Sequence, residues 1–163
     1  MKSAMEYRLY HPGDFAALYA VEELCFQPPI RFSRATMSGF IGNRGTATWI
    51  AAEDAQLIAF AIVEWPEDAE GEAAYIVTLE THPDWRRRGI GSELLCRSEQ
   101  SARDAGAHTI WLHVDAENAV AIQLYESRGY ERKGREKNFY SRNRDALVYA
   151  KRFTNASGAV SCP

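Results

Sequence analysis

The residues best suited to chemistry form a short loop rich in arginine and glycine, residues 86–91 (RRRGIG), between a strand pattern and a helix pattern. Gly89 and Gly91 let a ligand come close to the backbone, and the first N–H groups of the following helix have no partner within that helix. These N–H groups, the helix dipole and the arginine charges favour a bound phosphate. The loop therefore predicts a pyrophosphate site; an arginine-bearing surface loop is the alternative interpretation.

Two other phosphate-binding patterns do not fit this sequence. The nucleotide P-loop string GxxxxGK[ST] is absent from it. The dinucleotide pattern GxGxxG can start at Gly89, but Leu94 stands where its third glycine should be. What remains is Arg-x-x-Gly-x-Gly, beginning at Arg86, and its strand–loop–helix setting favours the pyrophosphate interpretation.

The hydrophobic pattern places this loop within a series of strands and helices. Strand patterns cover residues 5–10, 46–52, 57–65, 73–81, 108–114, 130–138 and 146–153, and helix patterns cover 14–24, 33–41, 90–105 and 118–128. Antiparallel strands followed by a β-α-β-α-β segment predict an α+β (mixed α/β) fold, with about seven strands in one mixed sheet and helices on both faces. We expect a single domain over residues 1–153 and a flexible C-terminal tail over 154–163.

Two local features refine this expectation. Ser33 and Asn118 precede helix patterns and carry side chains suited to capping a helix N-terminus. Residues 108–114 (HTIWLHV) are almost continuously apolar, which is typical of a parallel strand buried on both faces.

The composition excludes several classes of protein. The 163 residues are 46% hydrophobic and 25% charged, as in an ordinary globular chain. The formal net charge of −3 argues against a nucleic-acid partner, and no apolar run reaches the roughly eighteen residues of a membrane span. Cys25, Cys96 and Cys162 stand at unrelated spacings. We therefore expect no disulfide framework, no metal site and a cytoplasmic location.

A second motif agrees with the phosphate loop. Residues 118–130 (NAVAIQLYESRGY) match the pattern Asn-x-x-Ala-x-x-Leu-Tyr-x-x-x-Gly-Phe/Tyr. With the loop at 86–91, they resemble the GCN5-related N-acetyltransferase (GNAT) superfamily over residues 75–130. The resemblance implies that the chain transfers an acetyl group from acetyl-CoA (coenzyme A) to a primary amine.

The resemblance also implies which residues hold the cofactor. It assigns backbone pairing with the pantetheine, the pyrophosphate cradle and contacts near the sulfur to Leu79, Glu80, Thr81, Arg87, Arg88, Gly89, Ile90, Gly91, Ser92, Asn118 and Tyr125. Tyr125 is then the general acid that protonates the departing thiolate. The alternatives are that Tyr125 packs in the core and that Asn118 serves only as a helix cap.

The implied base distinguishes this chain from one group within the family. Bacterial acetyltransferases that modify ribosomal-protein N-termini usually have glutamate where this sequence has His113. The strings 75–79 (YIVTL) and 112–114 (LHV) are similar instead to eukaryotic and archaeal protein N-terminal (Nα) acetyltransferases. There the tyrosine and histidine, here Tyr75 and His113, hold a water that takes the amine proton. A satisfied structural histidine is the alternative, and Glu80 stays open as another base.

The chemistry of such a base bears on the acceptor. Neutralising an α-amine at pH 7 costs about 1.1 kcal/mol and neutralising a lysine costs about 4.6 kcal/mol, because their pKa values are about 7.8 and about 10.4. A water held by neutral Tyr75 and His113 is a mild base and suits an α-amino group. The resemblance places acceptor contacts at Phe26, Pro28, Ile30, Phe139 and Tyr140.

We expect one kind of acceptor and keep two alternative functions. The expected acceptor is the N-terminus of a peptide or protein. The first alternative is a small amine, such as a polyamine, an amino acid or an antibiotic, because the segments around residues 26–30 and 139–140 depart from those of peptide-modifying enzymes. The second is a non-catalytic acyl-CoA sensor. We expect a monomer or a weak homodimer.

Overall fold

The computed structural model describes residues 3–69, 72–154 and 162. Within them, one mixed sheet is formed by the strands β1 (Glu6–Leu9), β2 (Thr46–Glu53), β3 (Gln56–Glu64), β4 (Ala73–Thr81), β5 (Thr109–Asp115), β6 (Glu131–Ser141) and β7 (Arg144–Arg152). The helices are α1 (Phe15–Cys25), α2 (Arg34–Gly42), α3 (Ile90–Asp104) and α4 (Ala119–Ser127). The strand order is β1-β2-β3-β4-β5-β7-β6, with β4 and β5 parallel. The predicted α+β fold is confirmed.

The helices lie on both faces of the sheet. On one face, Leu18 of α1 and Met37 of α2 pack against Phe60 of β3. On the other face, Leu95 of α3 and Tyr125 of α4 belong to a second buried cluster. No helix in the described part of the chain is long and apolar enough to span a membrane.

The predicted helix caps are formed. The side chain of Ser33 accepts a hydrogen bond of 3.1 Å from the Thr36 N–H, and α2 begins at the next residue. The side-chain oxygen of Asn118 accepts a bond of 3.1 Å from the Ala121 N–H at the start of α4. These bonds satisfy N–H groups that have no partner within the helix.

Strand β5 is fully buried on one face and half-buried on the other, so the expectation of burial on both faces is confirmed only in part. Ile110, Leu112 and Val114 are buried, whereas Trp111 and His113 point to the half-buried face. The strand lies parallel to β4 but antiparallel to β7, so the expectation of a parallel strand holds for one neighbour.

Strands β4 and β5 pair over only part of their length. Their register joins Ala73–Ile76 to Thr109–Leu112, and the pairing ends there although both strands continue. Val77 is an extra residue in β4, since Thr78 pairs with Ile62 and Ile76 pairs with Val63. The bulge turns Thr78 and Glu80 to the same face as Tyr75, and it leaves a gap beside the second half of β4.

A disulfide joins Cys96 of α3 to Cys162, so the expectation of no disulfide is wrong for this pair, whereas Cys25 is free. The two residues are 66 positions apart, and a pair so distant leaves no spacing motif in the sequence. The predicted flexible tail lies for the most part outside the described residues, which include Thr154 and the bonded Cys162.

Candidate active site

The phosphate loop between β4 and α3 has the backbone shape of an anion cradle. A 3-10 turn at Pro83–Trp85 leads into it. Arg87 and Gly89 then take left-handed conformations, with φ of 63° and 78°, before α3 begins at Ile90. Such alternation turns successive N–H groups toward one point. The strain of a non-glycine residue at Arg87 is typical of a ligand site.

A groove of about 530 Å³ runs from this loop between β4 and α4. Ten of the eleven residues predicted to hold the cofactor line it: Leu79, Glu80, Thr81, Arg87, Gly89, Ile90, Gly91, Ser92, Asn118 and Tyr125. The eleventh, Arg88, lies with its guanidinium 4.5 Å from the centre of the Trp85 ring. The motifs gave no sign of Trp85, Gln123 and Ser127, which also line the groove.

Gly91 lets α3 and α4 approach each other closely at the groove. A β-carbon on this residue would lie 3.3 Å from Cδ2 of Leu124, which is tighter than an ordinary contact. The second glycine of the motif is therefore explained by helix packing, and the first, Gly89, by its left-handed backbone.

The groove fits the parts of acetyl-CoA. Free N–H groups at the start of α3 and the neighbouring arginines suit the pyrophosphate. The unpaired part of β4, ending at Leu79–Thr81, offers backbone groups to a pantetheine amide. Tyr125, 6% exposed, ends the groove on the α4 side, and burial raises the pKa of its hydroxyl well above the ordinary value. Tyr125 is therefore protonated at neutral pH and can give up a proton.

Tyr75 and His113 meet on the partly open face of the sheet. The Tyr75 hydroxyl lies 2.9 Å from Nδ1 of His113. Burial raises the pKa of Tyr75 to about 12, so its hydroxyl keeps its proton, and it donates to Nδ1 when the ring proton of His113 is on Nε2. The ring of Phe139 stacks on the His113 ring with centroids 4.1 Å apart. Neither Tyr75 nor His113 is among the residues that line the groove.

The sequence reasoning missed Glu136 of β6. One of its carboxylate oxygens lies 3.2 Å from Nε2 of His113, although not in line for a straight hydrogen bond. The side chain of His113 is 9% exposed and that of Glu136 is 50% exposed. No spacing pattern could have linked a residue in a charged β6 run to one on β5.

A second cavity, of about 480 Å³, adjoins the groove at Cys25, Phe26 and Asn118. The predicted acceptor residues Phe26, Pro28 and Ile30 line it. The other two predicted acceptor residues, Phe139 and Tyr140, lie outside this lining, with the Phe139 ring on His113 and the rings of Phe139 and Tyr140 packed edge to face.

The far wall of the second cavity is charged. Arg144 donates to the Asp115 carboxylate at 2.7 Å and lies 3.0 Å from the Glu117 carboxylate. Two carboxylates against one guanidinium leave this wall with net negative charge, which favours an acceptor that carries positive charge.

Two buried carboxyl groups meet beside the groove. Burial raises the pKa of Glu80 well above the ordinary value, and a hydrogen bond with Glu22 raises it further. Glu22 accepts from the Phe32 N–H at 2.7 Å, and Glu80 accepts from the Thr78 hydroxyl at 2.6 Å. The remaining oxygen of each carboxyl has no donor among the described residues. A proton shared between the two explains this arrangement.

Comparison with known proteins identifies the family to which this chain is similar. A sequence profile of the Acetyltransferase (GNAT) family matches residues 15–130. The [Ribosomal protein bS18]-alanine N-acetyltransferase of Salmonella typhimurium is 32% identical over 140 residues, which cover 84% of this chain and 90% of that protein.

Solved structures have the same architecture. The ribosomal-protein-S18-alanine N-acetyltransferase from Escherichia coli aligns with a TM-score of 0.81 at 25% identity, over 97% of this chain and 99% of that one. Arabidopsis thaliana NAA60, solved in complex with acetyl-CoA, aligns with a TM-score of 0.77 at 22% identity, over 91% and 98% of the two chains, and shares the fold.

The profile match covers the phosphate loop, the groove and Tyr125. As an acyltransferase, the chain is an enzyme, and the sensor alternative is not supported. The chain belongs to the acetyltransferase (GNAT) family and is an acetyl-CoA-dependent N-acetyltransferase.

Proposed function

We propose that this enzyme acetylates the α-amino group of a peptide or protein N-terminus. The Tyr75–His113 contact of 2.9 Å carries the proposal, because it holds a mild base on the acceptor side of the sheet. The bS18-alanine N-acetyltransferase of Salmonella typhimurium, whose name states a protein substrate, supports it.

The base is matched to an α-amine. An ordinary imidazole changes charge near neutral pH, where an α-amine needs about 1.1 kcal/mol to lose its proton and a lysine about 4.6 kcal/mol. Tyr75 passes its proton to Nδ1 of His113 and takes one back from a bound water, which in turn takes the proton of the amine. This pair favours the less basic amine.

The residues around the groove divide the remaining tasks. The phosphate loop binds the pyrophosphate of acetyl-CoA, which supplies the activated acetyl group. Tyr125 gives its proton to the sulfur as the carbon–sulfur bond breaks. The acceptor chain lies in the second cavity between residues 26–30 and Arg144.

A panel of acceptors tests the proposal. The enzyme is incubated with acetyl-CoA and peptides that begin with alanine or methionine, and thiol release is measured with a colorimetric thiol reagent. Matched peptides carry a blocked N-terminus and one free lysine, and polyamines and free amino acids complete the panel. We expect release with free N-termini only. Turnover of polyamines or amino acids with silence on the peptides would replace the proposal by the small-amine alternative.

Two further expectations stay predictions. They are the monomeric or weakly dimeric state and the cytoplasmic location.

A further inference from the structure

Glu136 extends the Tyr75–His113 pair to the surface. Tyr75 lies at one ring nitrogen of His113, at 2.9 Å, and Glu136 lies at the other, at 3.2 Å. The side chain of His113, which lies between the other two, is 9% exposed, and that of Glu136 is 50% exposed. The three side chains therefore form a row from the interior of the site to water.

A bulge in β6 brings Phe139 to the face that Glu136 already occupies by regular alternation. The register between β6 and β7 is regular at Glu136, which pairs with Ala146, and shifts before Ser141. Asn138 takes a left-handed conformation with φ of 55°, inside the shift. Consequently both Glu136 and Phe139 face His113, although side chains three apart on a regular strand point to opposite faces.

The bulge is held by a separate carboxylate. Asp145 accepts a hydrogen bond of 2.9 Å from the Asn138 N–H and one of 2.7 Å from the Arg135 guanidinium. The Asn143 N–H donates to the Asn138 side chain at 2.7 Å. The position of Glu136 is therefore fixed by its own strand rather than by the contact with His113.

We propose that Glu136 is the positioning residue of His113 and the group through which the amine proton reaches water. The inference rests on the proposed role of the Tyr75–His113 pair as base. With Tyr75 donating to Nδ1, the neutral ring carries its proton on Nε2, which faces Glu136. A carboxylate beside a ring nitrogen favours the tautomer with its proton on that nitrogen and stabilises the imidazolium, which is the role of the aspartate in the Ser-His-Asp triad.

The proton balance closes along this row. The nitrogen of the amine forms its bond to the acetyl carbon, and the carbon–sulfur bond breaks. The proton of the amine passes by way of the bound water to the Tyr75 oxygen, while the Tyr75 proton moves to Nδ1 of His113. The imidazolium releases its Nε2 proton to the Glu136 carboxylate, which gives it to solvent. Tyr125 protonates the thiolate and regains a proton from solvent. The His113 ring returns to its starting tautomer by taking a proton from water at Nε2 and giving one up at Nδ1.

Few charges compete with Glu136 at the His113 ring. Tyr75 of β4 and Glu136 of β6 are the titratable groups in contact with the ring among the described residues. Glu64 of β3 pairs with Tyr75 and lies beyond it, and Val148 of β7, the partner of His113, is apolar. Loss of the Glu136 charge therefore acts directly on His113.

Replacement of the carboxylate by an amide tests the proposal. Glu136→Gln keeps the shape of the side chain and removes its charge. The matched control is Glu131→Gln, because Glu131 is an exposed glutamate of the same strand that pairs with Lys133. The steady-state rate is measured from pH 6 to 9 with any amine that the panel identifies as an acceptor.

We expect Glu136→Gln to lower kcat about tenfold, to move the acidic limb of the kcat/KM profile to lower pH and to leave KM for acetyl-CoA unchanged. In Glu136→Ala, added formate at constant ionic strength should restore part of the lost rate, because a small carboxylate can accept the proton in the vacated space. Neither effect is expected for Glu131→Gln. The same profile in Glu136→Gln and Glu131→Gln, together with no rescue by formate, would overturn the proposal.

This outcome is separable from that of the proposed function. If the acceptor is a small amine, the function as proposed fails, but the pH profile and the rescue are measured with that amine. If no amine is acetylated, the tautomer of the neutral His113 ring is read by NMR in the free protein. We expect the ring proton on Nε2 in Glu131→Gln and a loss of this preference in Glu136→Gln, and identical tautomer populations would overturn the inference.

Discussion

The Tyr75 hydroxyl and Nδ1 of His113 lie 2.9 Å apart although 38 residues separate them in the chain. Parallel pairing of β4 with β5 places Tyr75 opposite Trp111, one step from His113 on the same face. This contact depends on the sheet and not on a loop, so the base is held by rigid elements.

Removal of the His113 ring should slow acetyl transfer without weakening the binding of acetyl-CoA. We expect His113→Ala to lower kcat by about 10- to 100-fold, because a positioned base contributes at least that much, and to leave the Kd for acetyl-CoA unchanged. Steady-state rates and calorimetry measure the two quantities. His108→Ala is the control, since His108 is exposed outside the site. A weaker Kd with an unchanged kcat would show that His113 is not the base.

Tyr125 should act as an acid over the whole working pH range. Burial raises the pKa of its hydroxyl, so the group remains protonated at neutral and mildly alkaline pH. We expect Tyr125→Phe to lower kcat about 100-fold and to keep the Kd for acetyl-CoA. Tyr10→Phe, a change of a remote tyrosine, is the matched control. Equal activity of Tyr125→Phe and the wild type would remove Tyr125 from the mechanism.

The left-handed conformation of Gly89 should matter for cofactor affinity. A side chain at its φ of 78° costs about 1–2 kcal/mol, although nothing lies within 4 Å of a β-carbon there. If Gly89→Ala relaxes the free loop, binding must restore the strained shape, which weakens the Kd for coenzyme A about tenfold. Calorimetry compares it with Gly42→Ala, where a β-carbon also meets open space without a left-handed backbone. Equal Kd values in the two variants would show that this backbone shape is not needed for binding.

The Glu22–Glu80 pair should make stability depend on pH. Burial and the bond to Glu22 raise the pKa of Glu80, so the folded state holds a proton that the unfolded state has lost. The free energy of unfolding therefore falls as pH rises above the ordinary glutamate pKa of about 4.3, up to the raised pKa of the folded state.

Glu80→Gln tests this dependence, because the amide replaces the proton with a permanent donor. Denaturant unfolding between pH 5 and 8 should show a flatter pH dependence for Glu80→Gln than for the wild type. Glu23→Gln, a change of an exposed neighbour on α1, should keep the wild-type slope. Parallel slopes for all three proteins would exclude the shared proton.

Local patterns predicted the frame of the molecule. The bounds of β4 agree residue for residue with the β-rich run at 73–81, and the Ser33 and Asn118 caps are formed as expected. These features depend on neighbours within a few positions, which a sequence displays directly. The phosphate loop was predicted for the same reason, because its residues are consecutive in the sequence.

The features that sequence reasoning missed depend on residues that are distant in the chain. The Val77 bulge reverses the alternation of β4 and brings Glu80 to Glu22, and the register shift after Glu136 in β6 brings Phe139 onto His113. Neither bulge carries a glycine or proline as a signal. Cys96 and Cys162 likewise meet only through the fold.

The pairing of β4 with β5 ends at Ile76, so the backbone groups of β4 beyond it have no neighbouring strand on that side. Acetyl-CoA bound along this side of β4 would pair with these groups as a strand does. The free energy of unfolding would then rise with the concentration of acetyl-CoA, because the bound enzyme unfolds less often than the free enzyme. A cell with a high concentration of acetyl-CoA would keep a larger fraction of this enzyme folded at the same rate of synthesis.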